Sequence, residues 1–321
     1  MEIANKYKYA LEKIRSANNI LLITHERPDG DALASICAFS LLLERLKKDH
    51  KLFCNDQVPA LFNFIPNSNK IKNDKDLNWG EYDLTIVVDC GALSRTKLEK
   101  EIRDNRAKQF IIEFDHHPKV DDYADLEIRI PDISSTAEVI YRFFKENDLE
   151  FGKDIATCIL TGILTDTINF LNTSTTAETI AISSEMLSEG ALMPKINRYA
   201  WKNKNIHSMK VLGNILDNLK INPDHSIAFA CLAYEEMEKF SETEETFDSV
   251  MNFLSNIDDV KAVMLLREER PGSIKGSIRT NNPKIDVSKI AKLLGGGGHA
   301  KASGFKIDGK IIKTEKTWEI K

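Results

Sequence analysis

Thr24-His25-Glu26-Arg27-Pro28-Asp29-Gly30-Asp31-Ala32 is the stretch on which the reading of the chain turns. An apolar run, Ile20 to Ile23, leads into it, and a helical pattern from Leu33 to Leu46 leaves it. A buried strand therefore ends in a sharp Pro/Gly turn that carries one imidazole and two carboxylates. Turns at the carboxyl ends of parallel strands are where α/β sheets place their ligands. Two anions this close repel each other unless a cation neutralises them, so the turn suits a divalent metal. Taken alone it serves equally as a polar helix start capped by Asp31.

Two further strands end in the same way. Asp83 to Asp89 is a continuous β-branched run closing in Asp89-Cys90-Gly91, and Gln109 to Phe114 closes in Asp115-His116-His117-Pro118. Both read as central parallel strands. Helical patterns at 4–17, 32–48 and 94–106 surround them, with a short strand at 52–54 and an edge strand at 126–130. This βαβ alternation predicts an α/β fold, a doubly wound and mainly parallel sheet with helices on both faces. Ser135-Thr136-Ala137-Glu138 is a capping box for a helix to Asn147. A buried helix over 153–166 ends at Thr165-Asp166-Thr167, and Thr175 to Glu178 caps another helix that Gly190 stops. Residues 194–219 are helical in pattern but more polar, with Asn203, Lys204 and Asn205 in the middle. A fresh pattern of strands at 227–233, 260–267, 273–280 and 304–307, with helices at 242–256 and 287–294, predicts a smaller C-terminal α/β domain. The expected division is a catalytic domain over 1–192, a helical linker over 193–224 and a second domain over 225–321.

Composition narrows the class. The chain has 321 residues, 42% hydrophobic and 29% charged, an ordinary soluble composition. A net charge of -5 argues against an electrostatic grip on long duplex DNA. The five cysteines are scattered and form no C-x-x-C pair, which suits a reducing cytoplasm. No apolar run reaches membrane-spanning length, so no membrane partner is expected.

The groups at element ends, His25, Asp29, Asp31, Asp89, Asp115, His116, His117 and later Asp166, mix carboxylate with imidazole. That is the ligand chemistry of Mn²⁺ or a related divalent ion, with no thiolate to favour structural zinc. The number exceeds the needs of one ion. A pair about 3.5–4 Å apart sharing a carboxylate would account for it and suits phosphoester hydrolysis.

These motifs together resemble the DHH phosphoesterase superfamily. Four signatures stand in order: His25-x-x-Pro28-Asp29-Gly30-Asp31, Val87-Val88-Asp89, Asp115-His116-His117 and Thr165-Asp166-Thr167. Gly295 to His299, followed by Ser303-Gly304, resembles the substrate motif of the DHH-associated C-terminal domain, and Ser277-Ile278-Arg279 resembles its Ser-x-Arg strand. The length resembles the stand-alone, NrnA-like branch of oligoribonucleases and pAp phosphatases. The resemblance implies two manganese ions, one held by His25, Asp29 and Asp89, the other by Asp31, Asp89, His116 and Asp166. It implies that Asp115 and His117 orient His116 and contact the scissile phosphate, and that a metal-bridging hydroxide attacks phosphorus. It implies that Arg279, Gly296, Gly297, Gly298, His299 and Ser303 bind the substrate, the glycines letting backbone N–H groups approach an anion. Expected substrates are short RNA oligonucleotides, pAp and pApA. The rivals are a RecJ-like single-strand exonuclease, a cyclic-di-AMP phosphodiesterase, and a non-catalytic nucleotide-binding protein. A homodimer is compatible with the sequence. Two local features stand out: Ile168 where many family members have glycine, and Phe170, an aromatic that could line the substrate site. The Ser134-Ser135-Thr136 turn could similarly donate to phosphate.

Overall fold

The computed structural model describes residues 2–75, 77–201, 206–240, 244–314 and 317–321. The chain divides into two compact units, Met1–Asn203 and Lys204–Lys321.

In the first unit, α1 (Ile3–Ser16), β1 (Asn19–Ile23), α2 (Gly30–Arg45), β2 (Asp49–Phe53), β3 (Ile71–Lys72) and β4 (Leu84–Val88) come first. Then follow α3 (Glu99–Asp104), β5 (Phe110–Asp115), β6 (Leu126–Arg129), α4 (Thr136–Glu146), α5 (Gly152–Asp166), α6 (Ala177–Ser188) and the short α7 (Met193–Ile196). The strands form one sheet in the order β3-β2-β1-β4-β5-β6, and every pair is parallel. Alternation along the strands sends side chains to two cores. Ile20, Leu22, Ile86, Val88, Ile112 and Phe114 face one, packed with α1, α2, α4 and α5. Leu21, Ile23, Val87 and Ile111 face the other, with Leu93, Leu98, Ile102 and Tyr123. Because both faces are covered, these strands are largely apolar, with Thr85 and Glu113 as buried exceptions. The order puts β1, β4 and β5 side by side, so their polar carboxyl ends converge.

Several expected elements differ in detail. The helix expected over 94–106 is interrupted: a 3₁₀ turn Leu93–Thr96 stops at Lys97, whose φ of 59° is left-handed, before α3 begins. The cap of α6 is Thr176, with Thr179 completing the box, one residue beyond the expected Thr175–Glu178 pair. The stretch 194–219 is not one helix: a π-helical turn over Asn197–Trp201 follows α7, and Asn203, Lys204 and Asn205 lie outside the described residues.

The second unit contains α8 (Ile206–Asp217), β7 (Lys220–Asn222), β8 (Ile227–Leu232), α9 (Tyr234–Met237), α10 (Glu244–Leu254), β9 (Ala262–Arg270) and β10 (Ser273–Arg279). It continues with α11 (Ser288–Leu293), β11 (Gly297–Gly298), β12 (Ala302–Asp308), β13 (Ile311–Lys313) and β14 (Trp318–Ile320). Its main sheet runs β11-β12-β10-β9-β8-β7 and is mixed, with β8 and β9 parallel and the other neighbours antiparallel. α8 and α10 cover one face through Val211, Ile215, Phe247, Val250 and Met251. Ala291 of α11 and Phe305 belong to a separate core with Ile274 and Ile311.

Candidate metal centre

The turn after β1 places its three polar groups by different devices. His25 is buried, and its Nδ1–H donates to the Glu26 carbonyl at 2.6 Å. That bond leaves the Nε2 lone pair facing Asp89 Oδ2, 3.7 Å away. Asp29, not Asp31, caps α2: its Oδ1 accepts from the Asp31 and Ala32 amides, both at 3.0 Å. Asp31 instead points inward, where its Oδ2 accepts from the Thr136 N–H at 2.7 Å and its Oδ1 from the Ala137 N–H at 2.9 Å. Room for that carboxylate exists because Gly162 of α5 lacks a Cβ; one there would lie 2.5 Å from Asp31 Oδ1. On the same side, a Cβ at Gly30 would sit 2.5 Å from the Thr165 side chain.

Asp89 directly follows β4 with φ 56°, a left-handed conformation that a non-glycine residue holds at a cost of about 1–3 kcal/mol. Its Oδ1 lies 3.7 Å from His116 Nε2 and 3.6 Å from His117 Nδ1, and accepts from the Thr136 hydroxyl at 2.8 Å. His116 Nε2 also lies 3.8 Å from Asp166 Oδ2, at the end of α5. Separations near 3.7 Å are too long for strong hydrogen bonds and ordinary for two ligands of one ion. Among the described residues, ligand atoms fall into three groups, each within 4.8 Å: His25, Asp29 and Asp89; Asp31, His116 and Asp166; and Asp89, His116 and His117.

The electrostatics match. Burial raises the Asp31 carboxyl well above its ordinary value, and Asp89, Asp166 and Asp29 push it further. Burial likewise raises Asp166, assisted by Asp29 and Asp89. Crowded anions of this kind favour cations, and an all-oxygen and imidazole donor set fits Mn²⁺ or a similar divalent ion. The five thiols are buried and free, and Cys54 and Cys90 donate to the carbonyls of His25 and Val88.

Asp115 serves a different neighbour from the expected one. Its Oδ1 accepts from both the N–H and the Nδ1–H of His117, at 2.8 and 2.9 Å, and its Oδ2 accepts from the Gly91 amide at 2.6 Å. It therefore orients His117 rather than His116. Burial alone would raise Asp115, but His117 and Arg129 hold its pKa down at about 2. Burial opposes the charged form of His117, yet Asp115 and Asp89 raise its pKa overall.

Arg129 was not legible as part of this centre. It comes from β6, is 3% exposed at its side chain, and donates to the carbonyls of His117 (2.6 Å), Pro118 (3.3 Å) and Gly91 (3.5 Å) and to Glu113 (2.6 Å). It thus ties the loops after β4 and β5 together. A basic residue at the end of a short edge strand, Leu126-Glu127-Ile128-Arg129, was the only signal. Other expectations move. The N–H groups of Thr136 and Ala137 serve Asp31, not a phosphate. Glu138 receives Ser134 rather than the Ser135 amide, so only the Ser135 arm of the box forms. Phe170 packs against the larger core, while Ile168 and Leu171 are exposed beside Asp166. Ile168, Asn169 and Phe170 all have positive φ.

In the second unit, Arg279 ends β10, opposite Ala302 of β12, and its guanidinium lies 3.0 Å from Asp248. Gly297 and Gly298 pair with Gly304 and Ser303. Gly296 and Gly298 are needed for packing: a Cβ would meet the Gly304 carbonyl at 2.1 Å or the Ala302 carbonyl at 2.7 Å. Gly297 borders open space and is exposed, as is His299. The Ser303 hydroxyl donates to the His299 carbonyl at 2.7 Å.

Residues 19–163 match the DHH family, N-terminal domain, and residues 224–317 match the DHHA1 domain, so the chain belongs to the DHH family. Within that family it falls in the NrnA-like branch. A relative from Streptococcus mutans named probable bifunctional oligoribonuclease and PAP phosphatase NrnA is 28% identical over 302 residues, spanning 93% of this chain and 92% of its own. One from Bacillus subtilis named bifunctional oligoribonuclease and PAP phosphatase NrnA is 26% identical, spanning 90% of each chain. The crystal structure of an exopolyphosphatase-related protein from Bacteroides fragilis aligns at a TM-score of 0.86 with 28% identity, over 95% of this chain and 92% of that one.

Proposed function

We propose that this chain is a divalent-metal phosphoesterase that hydrolyses short oligoribonucleotides and pAp- or pApA-type nucleotides. The observation that carries the reading is the overlap of three ligand groups, two of them sharing Asp89. In it His25, Asp29 and Asp89 would hold one ion, and Asp31, Asp89, His116 and Asp166 the other, Mn²⁺ being the best match to the donors. When bound, the ions would neutralise phosphate charge and acidify a water for attack on phosphorus.

The side chains have their own tasks. The Glu26 carbonyl fixes the His25 tautomer, so that Nε2 is the free donor. Asp115 fixes His117 through Nδ1, leaving its Nε2 to give a hydrogen bond, or a proton, to a phosphate oxygen. In the second unit Arg279, the Gly296–Gly298 backbone, His299 and Ser303 would bind the terminal phosphate and nucleoside. Reduced, buried thiols suit the cytoplasm.

The test is hydrolysis of a panel, a ribodinucleotide, pAp, pApA, cyclic-di-AMP, a long single strand and polyphosphate, with Mn²⁺ present. Asp89→Asn is the inactivating variant of choice, because asparagine tolerates the left-handed backbone there. Turnover of the short substrates lost in that variant supports the reading. Undiminished turnover, or preference for the long strand or polyphosphate, overturns it. Tight binding without cleavage would make the protein a nucleotide sensor.

A further inference from the structure

Among the described residues outside the acids and imidazoles, one hydrogen-bonds two of the candidate ligands through its own donors. Thr136, the first residue of α4, donates its N–H to Asp31 Oδ2 and its hydroxyl to Asp89 Oδ1. All three side chains are buried. We propose that Thr136 is a positioning residue that couples the two metal positions, by fixing how the Asp89 oxygens are shared. The proposal rests on the metal reading above.

A carboxylate that would serve two cations through its two oxygens keeps one on each side, and free rotation about its last torsion would exchange them. The Asp89 oxygens are already divided: Oδ2 faces His25, and Oδ1 faces His116 and His117. The Thr136 hydroxyl is the short bond to Oδ1 that maintains this division, and its β-branched side chain is stiff. The same residue's amide holds Asp31, so a carboxylate assigned to one ion and the carboxylate assigned to both are registered against one helix start.

That helix start is itself anchored. The Ser135 hydroxyl accepts from the Glu138 amide at 3.2 Å. Glu138 Oε2 accepts from the Ser134 hydroxyl at 2.6 Å and from Thr179 of α6 at 3.2 Å, and its Oε1 accepts from Arg142 at 2.8 Å. Because the first turn of α4 cannot drift, the hydroxyl of Thr136 arrives at a fixed point. Partners of this kind, one bond removed from a ligand, typically govern about 10–100-fold in metal affinity.

The test is calorimetric titration of the metal-free full chain with MnCl₂, for the wild type, Thr136→Val, Thr136→Ala, Thr136→Ser and Asp89→Asn, with circular dichroism checking the fold. Valine keeps the shape and the amide but removes the hydroxyl; alanine removes the hydroxyl and the methyl together and serves if valine fails to fold. Mn²⁺ affinity is expected to fall about 10-fold or more in Val and Ala, and to stay within about 3-fold of wild type in Ser. Wild-type affinity in Val or Ala, with binding lost in Asp89→Asn, overturns the role of Thr136 alone. So does a Ser variant as weak as Val. Wild-type affinity in Asp89→Asn overturns the metal reading itself.

Discussion

Gly162→Ala is a sensitive probe of the crossing between α5 and the Asp31 carboxylate. In the middle of a helix this change ordinarily helps, by about 1 kcal/mol. Here the new Cβ would stand 2.5 Å from both Asp31 Oδ1 and the Ala137 Cβ, roughly 1 Å inside normal contact. Neither neighbour is a loose end, since Asp31 is held by two amides and Ala137 is in the α4 backbone turn that supplies both of them. Overpacking of this sort costs about 1–3 kcal/mol. Shifting Asp31 also weakens hydrogen bonds to a charged group, each contributing about 1.5–3 kcal/mol. The crowding terms exceed the helical gain, so a net loss of about 1–3 kcal/mol is expected, a fall of roughly 2–10 °C in the melting of a unit this size. Gly213→Ala is the control: it lies inside α8 with nothing within 4 Å of the added carbon. That variant should gain about 0.5–1 kcal/mol. Differential scanning calorimetry and urea midpoints report both. Gly162→Ala stabilising the chain as Gly213→Ala does would refute the close crossing.

Arg129→Met should cost about 3–5 kcal/mol in urea unfolding, because it removes the buried cation beside Glu113 and Asp115 together with the donor to the His117, Pro118 and Gly91 carbonyls; a loss under 1 kcal/mol would contradict that. Burial raises the Glu113 pKa to about 7 despite the Tyr123 hydroxyl and Arg129. A raised carboxyl pKa means that the folded state keeps a proton the unfolded state has released. Stability from Glu113 is therefore complete below about pH 4.5 and is lost as pH rises through about 7, up to about 3 kcal/mol. Glu113→Gln should flatten this decline in stability measured from pH 5 to 8. Removal of divalent ions with a chelator should lower the melting temperature, and Mn²⁺ at about 100 times its dissociation constant should restore about 2.7 kcal/mol; Asp89→Asn should abolish that ion-dependent shift.

The strands β1, β4 and β5 were legible because each is buried on both faces, which leaves a largely apolar run before a polar turn, with Thr85 and Glu113 inside it. That pattern also gave the convergence of His25, Asp89 and His116. What the sequence concealed were supports acting across distant segments. Thr136 reads as part of a satisfied helix cap, and nothing local says that its hydroxyl is directed at Asp89. Gly162 reads as a weak point in a helix until α2 and α4 are set beside it. Asp29 and Asp31 both suit a cap, and only the inward turn of Asp31 toward α4 decides between them. The two-residue β3 and the edge strand β7 are too short for periodicity to mark, and the left-handed Lys97 breaks a helical pattern that its side chain does not forbid.

The first two amides of α4 have a spectroscopic consequence. Their hydrogens point at Asp31, 105 and 106 residues away in sequence, instead of at water. Their nitrogen and proton resonances are therefore a native gauge of the charge on that carboxylate. A ¹⁵N-labelled sample would show the Thr136 and Ala137 cross-peaks moving as Asp31 takes up a proton or a cation, while amides at the far end of the same helix stay in place.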